Sequence, residues 1–113
     1  MTGFLLKDLR DLKVMVIHPP DQDGSALVDQ LWRIGCRVEA HWPPPQELPS
    51  YVDILFVSID RDIHRRVKEL LRRADNEGPA VIAVVDYENP ATLQLVLETQ
   101  SLSVIGKPIR PFG

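Results

Sequence analysis

Cysteine is almost absent from this 113-residue sequence, which contains Cys36 alone. One thiol cannot form an internal disulfide, so a small disulfide-stapled scaffold is excluded and the composition suits a reducing compartment. Cys36 follows Gly35 at a predicted helix-to-strand junction. We expect it to be a small buried hydrophobic residue rather than a reactive thiol.

Long apolar runs and a strong excess of one charge are also missing. The net charge is −3, whereas domains that bind nucleic acid over a whole face are usually strongly basic. Every apolar run is far shorter than the roughly 20 residues that a membrane-spanning helix needs. The amino-terminal stretch MTGFLLKDLRDLK lacks the pattern of a signal peptide. We therefore expect a cytoplasmic, single-domain protein without a membrane partner.

Five short segments have the apolar character of β-strands. The unbroken apolar run from Val14 to Ile17 is typical of a strand covered on both faces of a parallel sheet. The second segment alternates only in part, which predicts a more exposed strand, and three consecutive prolines end it because proline cannot extend a ladder. In chain order the segments are KVMVIHPP, CRVEAHW, VDILFVSI, AVIAVV and SVIGKP.

Amphipathic helical patterns alternate with these strands. The clearest is the stripe at positions i, i+4 and i+7 formed by Leu27, Leu31 and Ile34. Asp23 or Ser25 is its predicted N-cap, and the glycine that follows the stripe suits its end. A first, short helix is predicted from Phe4 to Leu12. Another begins at Asp60 or Asp62 and ends at Gly78-Pro79, and its apolar face is formed by Ile63, Val67, Leu70, Leu71 and Ala74. The last begins at Asn89-Pro90, and its apolar stripe is formed by Leu93, Val96 and Leu97.

Alternation of strands and helices with short connections predicts an α/β protein with a parallel sheet. Five strands with right-handed helical crossovers fit the doubly wound flavodoxin-like order 2-1-3-4-5. A closing helix should follow the fifth strand, but only five residues follow Pro108. We expect that last helix to be missing or truncated and the chain to be part of a longer protein.

Chemically active side chains are expected at the carboxyl ends of the strands, where sheets of this kind bind their ligands. The first and third strands end at His18 and Ser58. Val85 and Asp86 end the fourth strand, and Lys107 follows the fifth. These residues define the predicted functional edge.

The order of elements and the Lys107-Pro108 pair resemble a response-regulator receiver domain, the CheY-like fold of two-component signalling. Carried over by position, the acidic pair of receivers becomes His18-Pro19 and the phosphoacceptor aspartate becomes Ser58. The hydroxyl residue of the fourth strand becomes Val85, within one position. The resemblance also implies a cis peptide bond before Pro108.

The departures from this pattern remove the chemistry of a receiver. Phosphoryl transfer to a receiver needs a carboxylate nucleophile and Mg²⁺, which prefers hard oxygen ligands. Neutral His18 and Pro19 cannot replace two carboxylates, and the Ser58 hydroxyl is a poor nucleophile without an adjacent base. We therefore expect a pseudo-receiver with no catalytic residue, no metal site and no cofactor.

Four longer stretches resemble the pseudo-receiver domain of AmiR-type regulators, the transcription antiterminators of the ANTAR family. They are LKVMVIHPP, ALVDQLWRIGCRVEAHWPPP, VDILFVSI and VVDYENPATL, and they extend over nearly the whole chain. This resemblance implies a longer protein with a coiled coil and an ANTAR domain that binds nascent RNA. It also implies control by a ligand-sensing, amide-binding repressor, homodimerisation through the missing region, and no phosphorylation.

Two alternatives remain open for the strand-end residues. One is a functional phosphorelay receiver with an unusual acceptor. The other is a small flavodoxin-like ligand-binding protein or hydrolase, for which His18, Ser58 and Asp86 would have to form a triad. The sequence FVSID has no glycine beside the serine, so the nucleophile elbow of such hydrolases is absent. We expect Ser58 instead to form a hydrogen bond with the backbone or with Lys107.

Candidate partner contacts lie outside this edge. Trp32 falls beside the buried stripe of its helix, so it either packs in the core or reaches the surface to anchor a partner. Trp42 is a second aromatic candidate. Arg65 and Arg72 belong to a basic run on the third predicted helix, which is either an RNA patch or a solvated face; interspersed acidic residues and the lack of aromatics favour the solvated face.

Overall fold

Five parallel strands form one sheet in the computed structural model, which describes residues 11–59, 64–73, 79–85 and 103–109. The strand order is β2-β1-β3-β4-β5, and the expected doubly wound α/β architecture is confirmed. All four neighbouring strand pairs are parallel. The strands are β1 (Lys13–Ile17), β2 (Arg37–His41), β3 (Ile54–Ser58), β4 (Ala80–Val85) and β5 (Ser103–Gly106).

The helix between β1 and β2, α1, spans Gln22–Ile34. Its N-cap is Asp21, whose carboxylate accepts a hydrogen bond from the backbone N–H of Gly24 at 2.8 Å. The predicted caps, Asp23 and Ser25, were therefore placed too late, because the helix begins directly after this aspartate. Gly35 ends the helix with a φ of 104°, a left-handed conformation that favours glycine, as expected.

The helix between β3 and β4, α2, is described over His64–Arg73. Val67 and Leu70 are buried against the sheet, which confirms their predicted place on its apolar face. The other residues predicted for this helix lie outside the described residues or side chains, namely Asp60, Asp62, Ile63, Leu71, Ala74 and Gly78. The expected helices at residues 4–12 and 89–97 also lie wholly or almost wholly outside the described part.

Each face of the sheet carries its own core cluster, because side chains alternate between the faces along every strand. One cluster packs the odd-numbered residues of β1 and β3 against α2, and the other packs the even-numbered residues of the same strands against α1. The central strands are accordingly buried almost throughout, while β2, at the edge, is mostly exposed. Full burial of both faces explains why β1 and β3 read as continuous apolar runs.

Cys36 lies in the core cluster beneath α1 and is 6% exposed. The prediction of a buried hydrophobic role is confirmed, and burial raises the pKa of its thiol. Over the described ranges, no helix is both long and apolar enough to cross a bilayer.

Candidate functional site at the carboxyl edge of the sheet

The carboxyl ends of β3, β4 and β5 meet as the register requires. Ser58 pairs with Val84 across β3 and β4, and Val85 pairs with Gly106 across β4 and β5. The backbone continues this alignment past the last strand, because the N–H of Lys107 donates to the carbonyl of Val85 at 2.8 Å. Ser58 and Lys107 are thereby brought to the same edge although they lie far apart in sequence.

The Lys107 ammonium donates a hydrogen bond to Ser58 Oγ at 3.2 Å. Ser58 is 1% exposed, whereas Lys107 is half-buried. The predicted Ser58–Lys107 contact is confirmed, as is the cis peptide bond between Lys107 and Pro108. A second cis bond, Trp42–Pro43, was not predicted.

His18, at the end of β1, is buried, with its side chain 1% exposed. Its Nδ1 lies 2.9 Å from the carbonyl oxygen of Pro19, a geometry in which Nδ1–H donates to the carbonyl. Burial lowers the pKa of His18, and the charge of Lys107 acts in the same direction. The Pro19 hydrogen bond and nearby carboxylates oppose this shift only in part. The imidazole is therefore neutral at pH 7, and its 3.5 Å approach to Asp21 is not an ion pair under those conditions.

The other ring nitrogen of His18, Nε2, is buried and has no hydrogen-bond partner in the described part of the chain. With the proton on Nδ1, Nε2 carries a lone pair, so the ring cannot help to bind a phosphoryl group through that nitrogen. Neither ring nitrogen of His18 bonds to Ser58 among the described contacts. The third residue of the imagined triad, Asp86, lies outside the described residues.

Gly24 allows the close packing of α1 against His18. A Cβ atom placed on Gly24 would lie 2.4 Å from the Pro19 carbonyl oxygen and 2.8 Å from His18 Nδ1. Real Cβ atoms do not tolerate such contacts, so a glycine is required here for steric reasons. In the sequence this glycine lies in the polar stretch DQDGS, which is typical of a loop.

Asp23 joins the first helix to the segment after β5. Its carboxylate accepts a hydrogen bond from the backbone N–H of Ile109 at 3.0 Å, across 86 positions of sequence. Sequence reasoning assigned Asp23 to a local cap and missed this role, since a single sequence carries no signal for so distant a partner. The contact holds the Lys107-Pro108 turn against the start of α1.

His18 and Pro19, which follow β1, supply no carboxylate, and Val85 is a fully buried hydrocarbon at the end of β4. Over residues 11–59, 64–73, 79–85 and 103–109, no cluster of three or more histidine, cysteine or acidic residues could hold a metal ion.

The candidate partner contacts lie on other surfaces. Trp32 is 66% exposed and Trp42 is 37% exposed, so the alternative of a core position for Trp32 was wrong. Tyr51, which the sequence did not single out, is also an exposed aromatic residue. Arg65 is exposed on α2, and Arg72 lies on the same helix, although its side chain is outside the described part.

The family model described as "AmiR, N-terminal" matches residues 12–113. The chain belongs to the AmiR N-terminal domain family. A curated relative, the aliphatic amidase regulator of Pseudomonas aeruginosa, is 40% identical over 105 residues, which is 93% of this chain and 54% of the relative. This AmiR-family domain thus spans about half the length of the relative that it matches.

The AmiR-family domain also has a solved structural neighbour, a CheY-like protein from Pseudomonas aeruginosa. The two share 14% sequence identity at a TM-score of 0.63, over 88% of this chain and 90% of that one. At this identity the likeness shows the fold alone, which is receiver-like. The family relative is named as a regulator rather than as an enzyme.

Proposed function

We propose that this AmiR-family domain is a regulatory protein-interaction module that works without phosphorylation, within a regulator of transcription antitermination. It would be controlled by binding a ligand-sensing partner. The observation that carries the proposal is the contact at the end of β3, where Ser58, a neutral hydroxyl, is bonded to Lys107. The resemblance to receivers matches this serine with the phosphoacceptor aspartate. The domain keeps the receiver scaffold and lacks its nucleophile.

The position of Ser58 supports this function chemically. A serine becomes a useful nucleophile only when a base removes its proton. Here the neighbour is a donor, the Lys107 ammonium, which occupies a lone pair of the hydroxyl oxygen instead of removing its proton. A carboxylate at the same place would be charged at neutral pH and ready both to attack phosphorus and to bind Mg²⁺.

The surroundings of Ser58 give a second line of support. Mg²⁺ needs several oxygen ligands at short range. By the resemblance to receivers, His18 and Pro19 take the positions of the acidic pair that would supply them, and Val85 takes the position of a hydroxyl residue. The His18 ring is neutral and buried, and Val85 has no polar side-chain atom. A phosphoryl group would bring negative charge to this edge without the cation that normally balances it.

The remainder of the proposed regulator would lie beyond this chain, since the aligned residues make up only 54% of the relative. We place there a coiled coil that forms a homodimer and an ANTAR domain that binds RNA. The ligand sensor would be an amide-sensor-like repressor, and all of these components would be cytoplasmic. Residues 1–113 would receive the signal through protein contact.

A phosphate-mimic titration tests the absence of phospho-control directly. Beryllofluoride and Mg²⁺ are added to the ¹⁵N-labelled chain, with an active receiver domain as the positive control. The amide signals of Ser58 and Lys107 should not shift in a saturable manner. A saturable shift at this edge would contradict the proposal and favour a phospho-switch with an unusual acceptor.

A second experiment uses the full-length regulator that contains this domain. A terminator read-through reporter is induced in cells that carry either the native regulator or its Ser58→Ala variant. Induction should be the same in both, because no phosphate is accepted at Ser58. Loss of induction in the variant, with unchanged protein level, would contradict control by protein contact alone.

A further inference from the structure

Trp32 stands between two grooves that flank α1 along the edge strand β2. The first groove, about 640 Å³, includes Val38, Tyr51 and Val52 in its lining. The second, about 510 Å³, lies between α1 and the end of β2 and includes Trp42 in its lining. Both volumes are in the range of sites that accept side chains or small ligands. We call this region, with its two grooves, the Trp32 surface.

Trp32 itself has the properties of an interface anchor. Two thirds of its surface is exposed, and tryptophan is enriched among the few residues that dominate binding energy at interfaces. Its indole offers a large apolar area together with one N–H donor. A side chain that enters either groove would be covered by this indole on one side.

The charges around the first groove select the chemistry of the occupant. Lys13 and Arg37 are paired neighbours on β1 and β2, so their side chains project from the same face of the sheet, the one opposite α1. Both residues are exposed, and within the described residues neither forms an ion pair, although the Lys13 ammonium lies over the Tyr51 ring, 5.6 Å from its centroid. An incoming carboxylate would give Arg37 the acidic partner that it lacks among these residues.

The carboxylates that line the two grooves are already bonded. Glu39 accepts a hydrogen bond from the Tyr51 hydroxyl at 2.8 Å, and Asp29 pairs with Arg33 at 3.0 Å. A second copy of this chain would therefore have to draw these carboxylates away from their present partners to place them beside Lys13 and Arg37. The charge pattern favours a different partner over self-association.

We propose that the Trp32 surface binds an acidic segment of a partner protein, one that presents an apolar side chain beside a carboxylate. The apolar side chain enters a groove against Trp32, and the carboxylate, on the adjacent residue of an extended segment, lies on the opposite face of the sheet beside Lys13 and Arg37. Because β2 is the edge strand, an extended segment can lie along the groove beside it. The proposal deepens the proposed function, since it rests on regulation by protein contact and names the contact surface.

The test compares three short peptides on the ¹⁵N-labelled chain: acetyl-Glu-Leu-Phe-Glu-amide, its Gln-flanked analogue and its Lys-flanked analogue. The acidic peptide should shift the Trp32 indole N–H and the amides of Lys13 and Arg37. It should bind about fivefold more tightly than the Gln-flanked peptide, which is the gain expected from an exposed charge pair. The Lys-flanked peptide should bind most weakly.

Matched variants separate the apolar and ionic parts of the contact. Arg37→Glu should remove the preference for the acidic peptide and leave binding of the Gln-flanked peptide unchanged. Trp32→Ala should weaken both peptides by about tenfold. Lys68→Glu makes the same change of charge at an exposed position on α2, outside both grooves, and should alter neither affinity.

Several results would overturn the proposal. They are an absence of shifts at Trp32 in the millimolar range, equal affinity for the three peptides, an unchanged preference in Arg37→Glu, and concentration-dependent dimerisation that buries Trp32. None of these outcomes alters the response to the phosphate mimic. Failure of the proposed surface can thus be told apart from failure of the proposed function.

Discussion

Lys107 donates its hydrogen bond to Ser58 across the carboxyl edge of the sheet, at 3.2 Å. In the receiver pattern, a lysine at this place faces a carboxylate that can carry a phosphoryl group. Here it faces a neutral hydroxyl, to which it donates a hydrogen bond. Under the proposed function, the basic half of a receiver site is kept and its acidic half is replaced, and this contrast can be tested by substitution.

Restoring one carboxylate should not restore phosphorylation. In Ser58→Asp the new side chain gains Lys107 as a partner, yet His18 and Pro19 still provide no ligand for Mg²⁺. After incubation with acetyl phosphate and Mg²⁺, the intact mass should be unchanged, as for Ser58→Asn. A Mg²⁺-dependent gain of one phosphoryl group on the introduced carboxylate would show that the position of the nucleophile alone decides the chemistry.

The fold could be predicted from sequence because its signals are local. Two unbroken apolar runs, one clean helical stripe and well-placed turn residues predict alternating strands and helices. The order 2-1-3-4-5 is a known doubly wound arrangement that fits five such strands with right-handed crossovers. Ser58 and Lys107 then follow, since carboxyl ends of parallel strands share an edge. Prediction of the hydrogen bond between them required only that both side chains point inward from the ends of their strands.

Other features depended on tertiary contacts that no local pattern reveals. Asp23 looked like a cap because acidic residues are common there, whereas its partner is Ile109. Gly24 looked like a loop residue, but the close approach of His18 and Pro19 leaves no room for a side chain at this position. The exposure of Trp32 depends on the rotation of α1 about its axis relative to the sheet. The apolar stripe of α1 defines that rotation only to within about one residue position.

Gly24→Ala should destabilise the domain although it places a better helix former inside α1. The methyl group would collide with the Pro19 carbonyl and with His18 Nδ1. We expect a loss of about 1–3 kcal/mol, the usual range for overpacking, in the free energy of unfolding by urea. Ser25→Ala, at the next and exposed position, should change it by less than about 0.5 kcal/mol. Equal stability of the two variants would contradict the steric explanation.

Asp23→Ala should loosen the segment after β5 without melting the helix. The Ile109 N–H would lose its acceptor, at a cost of about 0.5–1.5 kcal/mol. Amide hydrogen exchange should become faster at Ile109 while the interior of α1 keeps its protection. Asp21→Ala removes the N-cap instead, so it should lower the protection of the first turn of α1. If both variants change the same amides, the two carboxylates do not have separate roles.

The stability of the domain should depend on pH through His18. Its folded pKa is lowered, chiefly by burial, so protons bind more readily to the unfolded chain, where histidine titrates near 6.5. The contribution of the neutral ring is complete above that value and is lost as the pH falls through the lowered pKa. The free energy of unfolding by urea should therefore fall between about pH 7.5 and about pH 5, the range in which histidine titrates.

His18→Leu should flatten this slope, whereas His41→Gln, on the edge strand, should retain it. An unchanged slope in His18→Leu would show that other groups cause the pH dependence. It would contradict a buried, neutral imidazole at His18.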